Sequence, residues 1–275
     1  HASEVVEMDE HPSAAVRAKK DNSMSVGMRL IKDGAADAFV TMGNTGAGMA
    51  AALFTLGRIK GVNRPAISAA IPHLKGHTFM IDIGANTEVK PENLVQFALM
   101  GSIYVERVLR VRNPKVALLS NGEEDSKGTE TVQAANALLH KAPLNFIGNV
   151  QGYDILKGTA DVVVADGFTG NIAIKLMEGM MPLMEDLLKK AFYSSAKMKL
   201  AGALAKDDLK SVIKSSLNYE AIGGAPLLGV DGVVIIGHGR SKAPAIYSAI
   251  QRAKEAVENG VVDAIEKGLE ALPSA

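Results

Sequence analysis

A chain of 275 residues in which 30 basic side chains balance 30 acidic ones has no net charge to hold a polyanion, and without tryptophan or an aromatic RNA-type motif it does not read as a nucleic-acid binder. The absence of cysteine excludes disulfides, a thiolate nucleophile and Cys-ligated zinc, and fits a reducing cytoplasm. Hydrophobic residues at 47% can fill a large core, yet no apolar run approaches the roughly 18 residues that span a bilayer and no signal peptide opens the sequence. The expectation is a cytoplasmic globular protein.

The sequence opens on a polar segment, "HASEVVEMDEHPSAAVRAKKDNSMSVGMRLIKDG", with no strand before it, and the expectation is that an N-terminal part is missing. Candidate strands follow in order: "AFVTM" at 38–42, "AISAAI" at 66–71, "FMIDIG" at 79–84, "KVALLSNG" at 115–122, "NFIGNV" at 145–150, "DVVVADG" at 161–167 and "GVVIIGHG" at 232–239. Most are uninterrupted apolar runs rather than alternating ones, as in strands covered on both faces. Helical patterns separate them, including 91–109, which opens on Pro91 at a first helical position, and 127–142. This is an α/β pattern: a mostly parallel twisted sheet with helices on both faces.

One segment, 174–217, contains no strand signal and reads as two or more helices projecting from the single α/β domain formed by residues 1–275. Met177, Met180, Met181 and Met184 share a helical face, and Pro182 is expected to kink the helix or start a turn. Lys189, Lys190, Lys197 and Lys199 mix with Phe192, Met198, Leu200 and Leu204. The stripe fits a core-facing surface, a subunit interface or a membrane-touching tip.

The turns carry the chemistry. Gly43, Asn44, Thr45 and Gly46 join a strand to a helix whose first N–H groups lack partners and whose dipole favours anions. The turn has neither the lysine of a P-loop nor the GxGxxG order of a dinucleotide site, and glycine there also serves conformation alone. Small polar turns recur, however, at "DIGAN" (82–86), "SNGEEDSKGTE" (120–130), "ADGFTGN" (165–171) and "IGHGRS" (236–241). In a parallel sheet the carboxyl ends of the strands share one edge, so these turns are expected to converge there.

These motifs, with "SMSVGMRLIKDGAADAFVTMGNTGA", "PENLVQFALMGSIY" and "NFIGNVQGYDILKGTADVVVADGFTGNIAIKLMEG", resemble the bacterial phosphate acyltransferases of phospholipid synthesis, the PlsX family, over essentially the whole chain. The resemblance implies transfer of a long-chain acyl group from acyl carrier protein to inorganic phosphate. The acyl phosphate would go to glycerol-3-phosphate acylation. It further implies a fold similar to isopropylmalate dehydrogenase and phosphate acetyltransferase, a homodimer, a helical projection that contacts the membrane peripherally, and no cofactor. Family members begin with a strand and a "DAMGGD"-like turn that this sequence lacks. Two other readings stay open: a phosphate acetyl- or butyryltransferase using coenzyme A, and a non-catalytic membrane-associated scaffold.

Attack of phosphate on a thioester needs positioning and an oxyanion site more than a strong base, because phosphate is already largely dianionic. Asn44, Thr45 and Gly46 are the best phosphate cradle. Lys127 neutralises phosphate or pairs with Glu123 or Glu124. Asn171, beside Gly170, is a helix cap or an amide donor to the ligand. His238, between two glycines after "VVII", is placed to steady the oxyanion or protonate the thiolate, against the structural role a lone histidine more commonly has. Asp82 and Asn86 organise the crevice, and Asp166 caps the turn after it. Arg17, Lys19 and Lys20 form a solvated face or meet the acidic carrier protein or phosphate. His73 and His77 have no carboxylate cluster beside them, so no metal site is expected.

Overall fold

The computed structural model describes residues 1–216 and 223–272, apart from the side chains of Met181, Lys210 and 213–216. Leu217, the expected end of the helical segment, and the Met181 side chain of the expected methionine face lie outside the described residues. In chain order the elements are α1 (Pro12–Ala18), α2 (Ser23–Lys32), β1 (Ala38–Thr41), α3 (Thr45–Thr55), β2 (Ala66–His73), β3 (Gly76–Ile81), α4 (Pro91–Arg107), β4 (Val116–Leu119), α5 (Glu130–Leu139), β5 (Phe146–Val150), α6 (Gly152–Lys157), β6 (Val162–Val164), α7 (Gly167–Phe192), α8 (Ala196–Ser216), β7 (Ala225–Leu228), β8 (Val233–Ile236), α9 (Ala243–Glu258) and α10 (Val261–Leu269).

All expected strands are present, and one more, β7, joins them in an eight-stranded sheet of order β1-β8-β7-β2-β3-β6-β4-β5. The sheet is mixed: β1–β8, β3–β6, β6–β4 and β4–β5 are parallel, whereas β2–β3, β2–β7 and β7–β8 are antiparallel. β1 and β8 therefore run against β3, β6, β4 and β5. This corrects the expectation of one shared carboxyl edge, since the turns after β1 and β8 leave the sheet in the direction opposite to those after β3 and β6.

Register brings the two groups together all the same. Ile81, the last residue of β3, faces Ser68 of β2, while Ala66 and Ile67 pair with Leu228 and Leu227 of β7. Continuing that ladder one step sets Ser68 opposite Pro226, whose carbonyl accepts from Ser68 Oγ at 3.0 Å. Pro226 and Ala225 pair in turn with Ile235 and Ile236, the end of β8. The oppositely running strands thus finish at nearly the same level in mid-sheet.

Alternate residues fill the layers on the two faces. On one face Ala66, Phe79, Ile81, Val116, Val162 and Leu228 pack with α4, α5 and α10, and Ile235 packs with Ala249 and Ala253 of α9. On the other, Val234 and Ile236 lie under Met28 of α2 and Ala47 and Ala51 of α3. Met80, Leu119 and Val163 lie under Ile155 of α6 and Ile174 of α7. This second face has a break between its two helical covers, above β2 and β7.

The helix α7 begins seven residues before the segment boundary drawn from sequence, because Asp166 caps it, accepting from Thr169 N at 2.8 Å and Thr169 Oγ1 at 2.7 Å. It continues through Pro182 rather than stopping there. Pro182 costs only the bond to the Glu178 carbonyl on a largely solvated helix. Among the described residues no helix is long and apolar enough to cross a membrane.

Candidate active site

The break in the helical layer is a cleft of about 740 Å³. Its rim is built from four of the five turns singled out by sequence: Gly43, Thr45 and Gly46 after β1, Gly84 after β3, Asn171 as the fifth residue of α7, and Gly237 to Lys242 after β8. The turn after β4 does not line it, and Lys127 with it. β6 separates β4 from β3 in the sheet, which carries that turn away. Lys127 is exposed and forms no ion pair with Glu123 or Glu124 among the described residues.

Helix α3 opens on the cleft. Asn44 is buried, and its amide is fully engaged: Oδ1 accepts from Ala47 N at 3.0 Å, and Nδ2 donates to the Glu7 and Met8 carbonyls at 3.3 and 3.2 Å. Its side chain holds the helix end rather than facing the cleft. Thr45 and Gly46 line the cleft as the first two helical residues, whose N–H groups have no carbonyl four residues behind them within the helix. Those donors and the helix dipole give an anion-holding corner.

Beside this turn, on the neighbouring parallel strand, His238 is exposed at the end of β8. Its carbonyl accepts from Ser241 N at 2.8 Å, and Gly237 N donates to the Thr41 carbonyl at 2.7 Å, so the turns after β1 and β8 are tied together. A side chain at Gly237 would collide with Met42, which explains the small residue beside the histidine. Arg240 and Lys242 continue the rim and are exposed, with no ion pair among the described residues; Lys175 pairs with Glu178 at 3.1 Å.

Asp82 does not line the cleft. It is wholly buried, and its carboxylate accepts five hydrogen bonds, from Ile67 N, Gly84 N, Ala85 N, Asn86 N and Asn86 Nδ2, at 2.8 to 3.2 Å. Burial pushes its carboxyl above the usual range, against the lowering effect of these donors. Asn86 also donates to the Pro65 carbonyl at 2.7 Å and accepts from Gly167 N at 2.7 Å. Asn171 Nδ2 donates to the Ile83 carbonyl at 3.2 Å. Asp82, Asn86 and Gly170 are therefore the supports behind the wall that Gly84 and Asn171 present.

Of the other basic candidates, Lys20 is exposed and two are engaged elsewhere. Lys19 pairs with Glu10 at 2.6 Å and Arg17 lies over the Phe54 ring. Among the described residues no group of three or more histidines or carboxylates could hold a metal. Sequence reasoning missed the cleft floor, where Ile67, Ala69 and Ala225 look like ordinary strand residues, and β7 was hidden by Gly223, Gly224 and Pro226, which read as loop.

A family described as fatty acid synthesis protein matches residues 1–264. A phosphate acyltransferase from Desulfitobacterium hafniense (strain Y51) is 52% identical over 98% of this chain and 80% of its own length. One from Anaeromyxobacter sp. (strain Fw109-5) is 51% identical over 98% of this chain and 75% of its own length. Among solved structures, a branched-chain phosphotransacylase from Enterococcus faecalis V583 superposes with a TM-score of 0.56 at 14% identity, over 86% of this chain and 79% of that one. The EutD phosphotransacetylase from Staphylococcus aureus gives 0.53 at 18%, over 94% and 70%. At such identities the likeness is one of fold.

Proposed function

The chain belongs to the fatty acid synthesis protein family and transfers acyl groups to phosphate, and we propose that its donor is a long-chain acyl thioester on acyl carrier protein and that the cleft between α3 and α7 is where the transfer occurs. The observation that carries this reading is one cleft that pairs an apolar floor with the helix N–H groups of Thr45 and Gly46, which have no hydrogen-bond partner among the described residues. A phosphate oxygen attacks the thioester carbonyl carbon, the C–O bond to phosphate forms as the C–S bond breaks, and the electron pair leaves on sulfur. The Thr45 and Gly46 N–H groups hold the phosphate. His238 donates to the developing oxyanion or to the departing thiolate. Asn171, through an amide whose nitrogen is already bonded to Ile83 O, shapes the wall beside them. Asp82, Asn86 and Gly170 keep that wall in place. Lys127 is assigned no contact with phosphate. No covalent enzyme intermediate is needed.

The exposed Arg240 and Lys242 support an acidic carrier docking at the rim. The chain acts as a homodimer, residues 1–275 forming one α/β domain, and the 174–217 projection meets the membrane surface, where the acyl phosphate passes to a glycerol-3-phosphate acyltransferase. Support for a covered projection comes from Leu176, Leu183 and Leu187 of α7 and Leu200 and Leu204 of α8, each more than half exposed. The test is release of carrier thiol from palmitoyl carrier protein. Release that depends on phosphate is expected; release from acetyl coenzyme A alone, with the loaded carrier inert, would replace the donor.

A further inference from the structure

The floor of the cleft differs from its rim. Lys175, Arg240 and Lys242 are exposed at the mouth, while Ile67, Ala69, Ile174 and Ile236 are at most 8% exposed and line the bottom. Strand register arranges this floor in rows. Ala225 pairs with Ile236, and two steps beyond the Ile67–Leu227 pair, past Ser68 and Pro226, the same ladder sets Ala69 opposite Ala225. Residues directly opposite share a face. Ala69, Ala225 and Ile236 therefore form one transverse row across β2, β7 and β8, next to a row that carries Ile67 and Leu227. Two methyl groups stand where the neighbouring row has branched side chains, and the result is a trough across the sheet. Its end at β7 is continued by the backbone of Gly223 and Gly224, which also line the cleft; a side chain on Gly223 would run into Ser248 of α9, and one on Gly224 into Ile235.

We propose that this trough is the acyl-chain subsite, with Ala69 and Ala225 setting how much alkyl chain can lie in it. The inference rests on the acyl-transfer reading above. A thioester whose carbonyl sits beside the Thr45 and Gly46 N–H groups and His238 must send its alkyl tail away from that polar corner. The trough is an apolar surface contiguous with it, and a chain laid there takes its own methylenes out of water against Ile67, Ile174 and Ile236. Filling the trough shortens the chain that fits, as added methylenes do in other hydrophobic pockets.

The experiment has two independent arms. Palmitate binding to the full chain, followed by calorimetry, probes the trough without turnover. Ala69→Phe is expected to weaken it about tenfold or more, and Ala69→Val less. In the turnover arm, the ratio of palmitoyl to butyryl transfer to phosphate falls about tenfold in Ala69→Phe and moves the same way in Ala225→Val. If Ala69→Phe does not fold, the two valine variants carry the test, with melting temperature as control. Folded variants that bind palmitate like the wild type, or that lose palmitoyl and butyryl transfer by the same factor, overturn the proposal. A wild type that binds palmitate in a way Ala69→Phe abolishes, yet releases no thiol from the loaded carrier, leaves the trough standing and refutes the donor.

Discussion

Gly170 of α7 lies so close to Asp82 that a methyl group on its α-carbon would overlap the Asp82 carbonyl oxygen. The first turn of the long helix is thereby pressed onto the turn that follows β3, and the cleft wall is one unit made of two chain segments far apart in sequence. Replacing Gly170 by Ala forces those segments apart. Denaturant unfolding should show a loss of about 1–3 kcal/mol, and acyl transfer should fall with it. Gly152→Ala, where nothing lies within 4 Å of the added carbon, is the control and should change stability little.

Asp82→Asn removes an acceptor that serves five donors and turns an amide toward Asn86 Nδ2. A loss of about 3 kcal/mol is expected. The pH dependence is a sharper test. The unfolded carboxyl titrates near 3.8 and the folded one higher, because burial opposes its charge. The folded state thus binds the proton more tightly, so the stabilisation due to Asp82 is largest below pH 3.8 and declines as pH rises through the folded pKa. The wild-type advantage over Asp82→Asn, measured by denaturation at several pH values, should shrink across that window. An advantage that grows instead would mean that the five donors outweigh burial.

Asn44→Ala removes the cap of α3. A cost of about 1 kcal/mol is expected, together with a higher KM for phosphate, since the Thr45 and Gly46 N–H groups lose their fixed direction. Asn44→Ser keeps a capping oxygen and should recover most of both effects. Recovery of stability without recovery of KM would separate the helix end from phosphate binding.

His238→Ala should lower kcat by about 10²-fold while leaving KM for phosphate near the wild-type value. Steady-state kinetics with phosphate varied at saturating thioester distinguishes this from a binding role. Unchanged kcat would remove the imidazole from the reaction.

Leu200 and Leu204 are 65% and 77% exposed on α8. Changing both to Glu should reduce sedimentation with liposomes while leaving transfer from a soluble donor intact. Equal sedimentation would remove α8 from the proposed membrane contact.

Much of the fold was legible because buried strands announce themselves as apolar runs: "VVV" at 162–164 and "VVII" at 233–236 sit where the pattern sets them. The direction of a strand leaves no such trace. An uninterrupted run says that both faces are covered, not which neighbour lies beside it, so the reversal of β1 and β8 and the antiparallel pairings of β2 and β7 had no sequence signal. The site shows the same division. His238 and Thr45 were visible as chemistry at the ends of strands. Asn44 and Asp82 were visible as polar residues in turns, but whether such a side chain faces ligand or backbone depends on donors that arrive from elsewhere, such as Ile67 N and Ala85 N. Lys127 was displaced from the rim by one intervening strand, β6.

The sheet beneath the cleft is backed by α4 and α10, which pack against Ala66, Ala70 and Leu228 on its far side. On the proposed reading, phosphate and thioester reach the α3 corner from the same side of the sheet, and an alkyl tail lying across the cleft would obstruct a phosphate that arrives after it. A sequence in which the small anion binds first, read from initial-rate kinetics, is what that closed back leads us to expect.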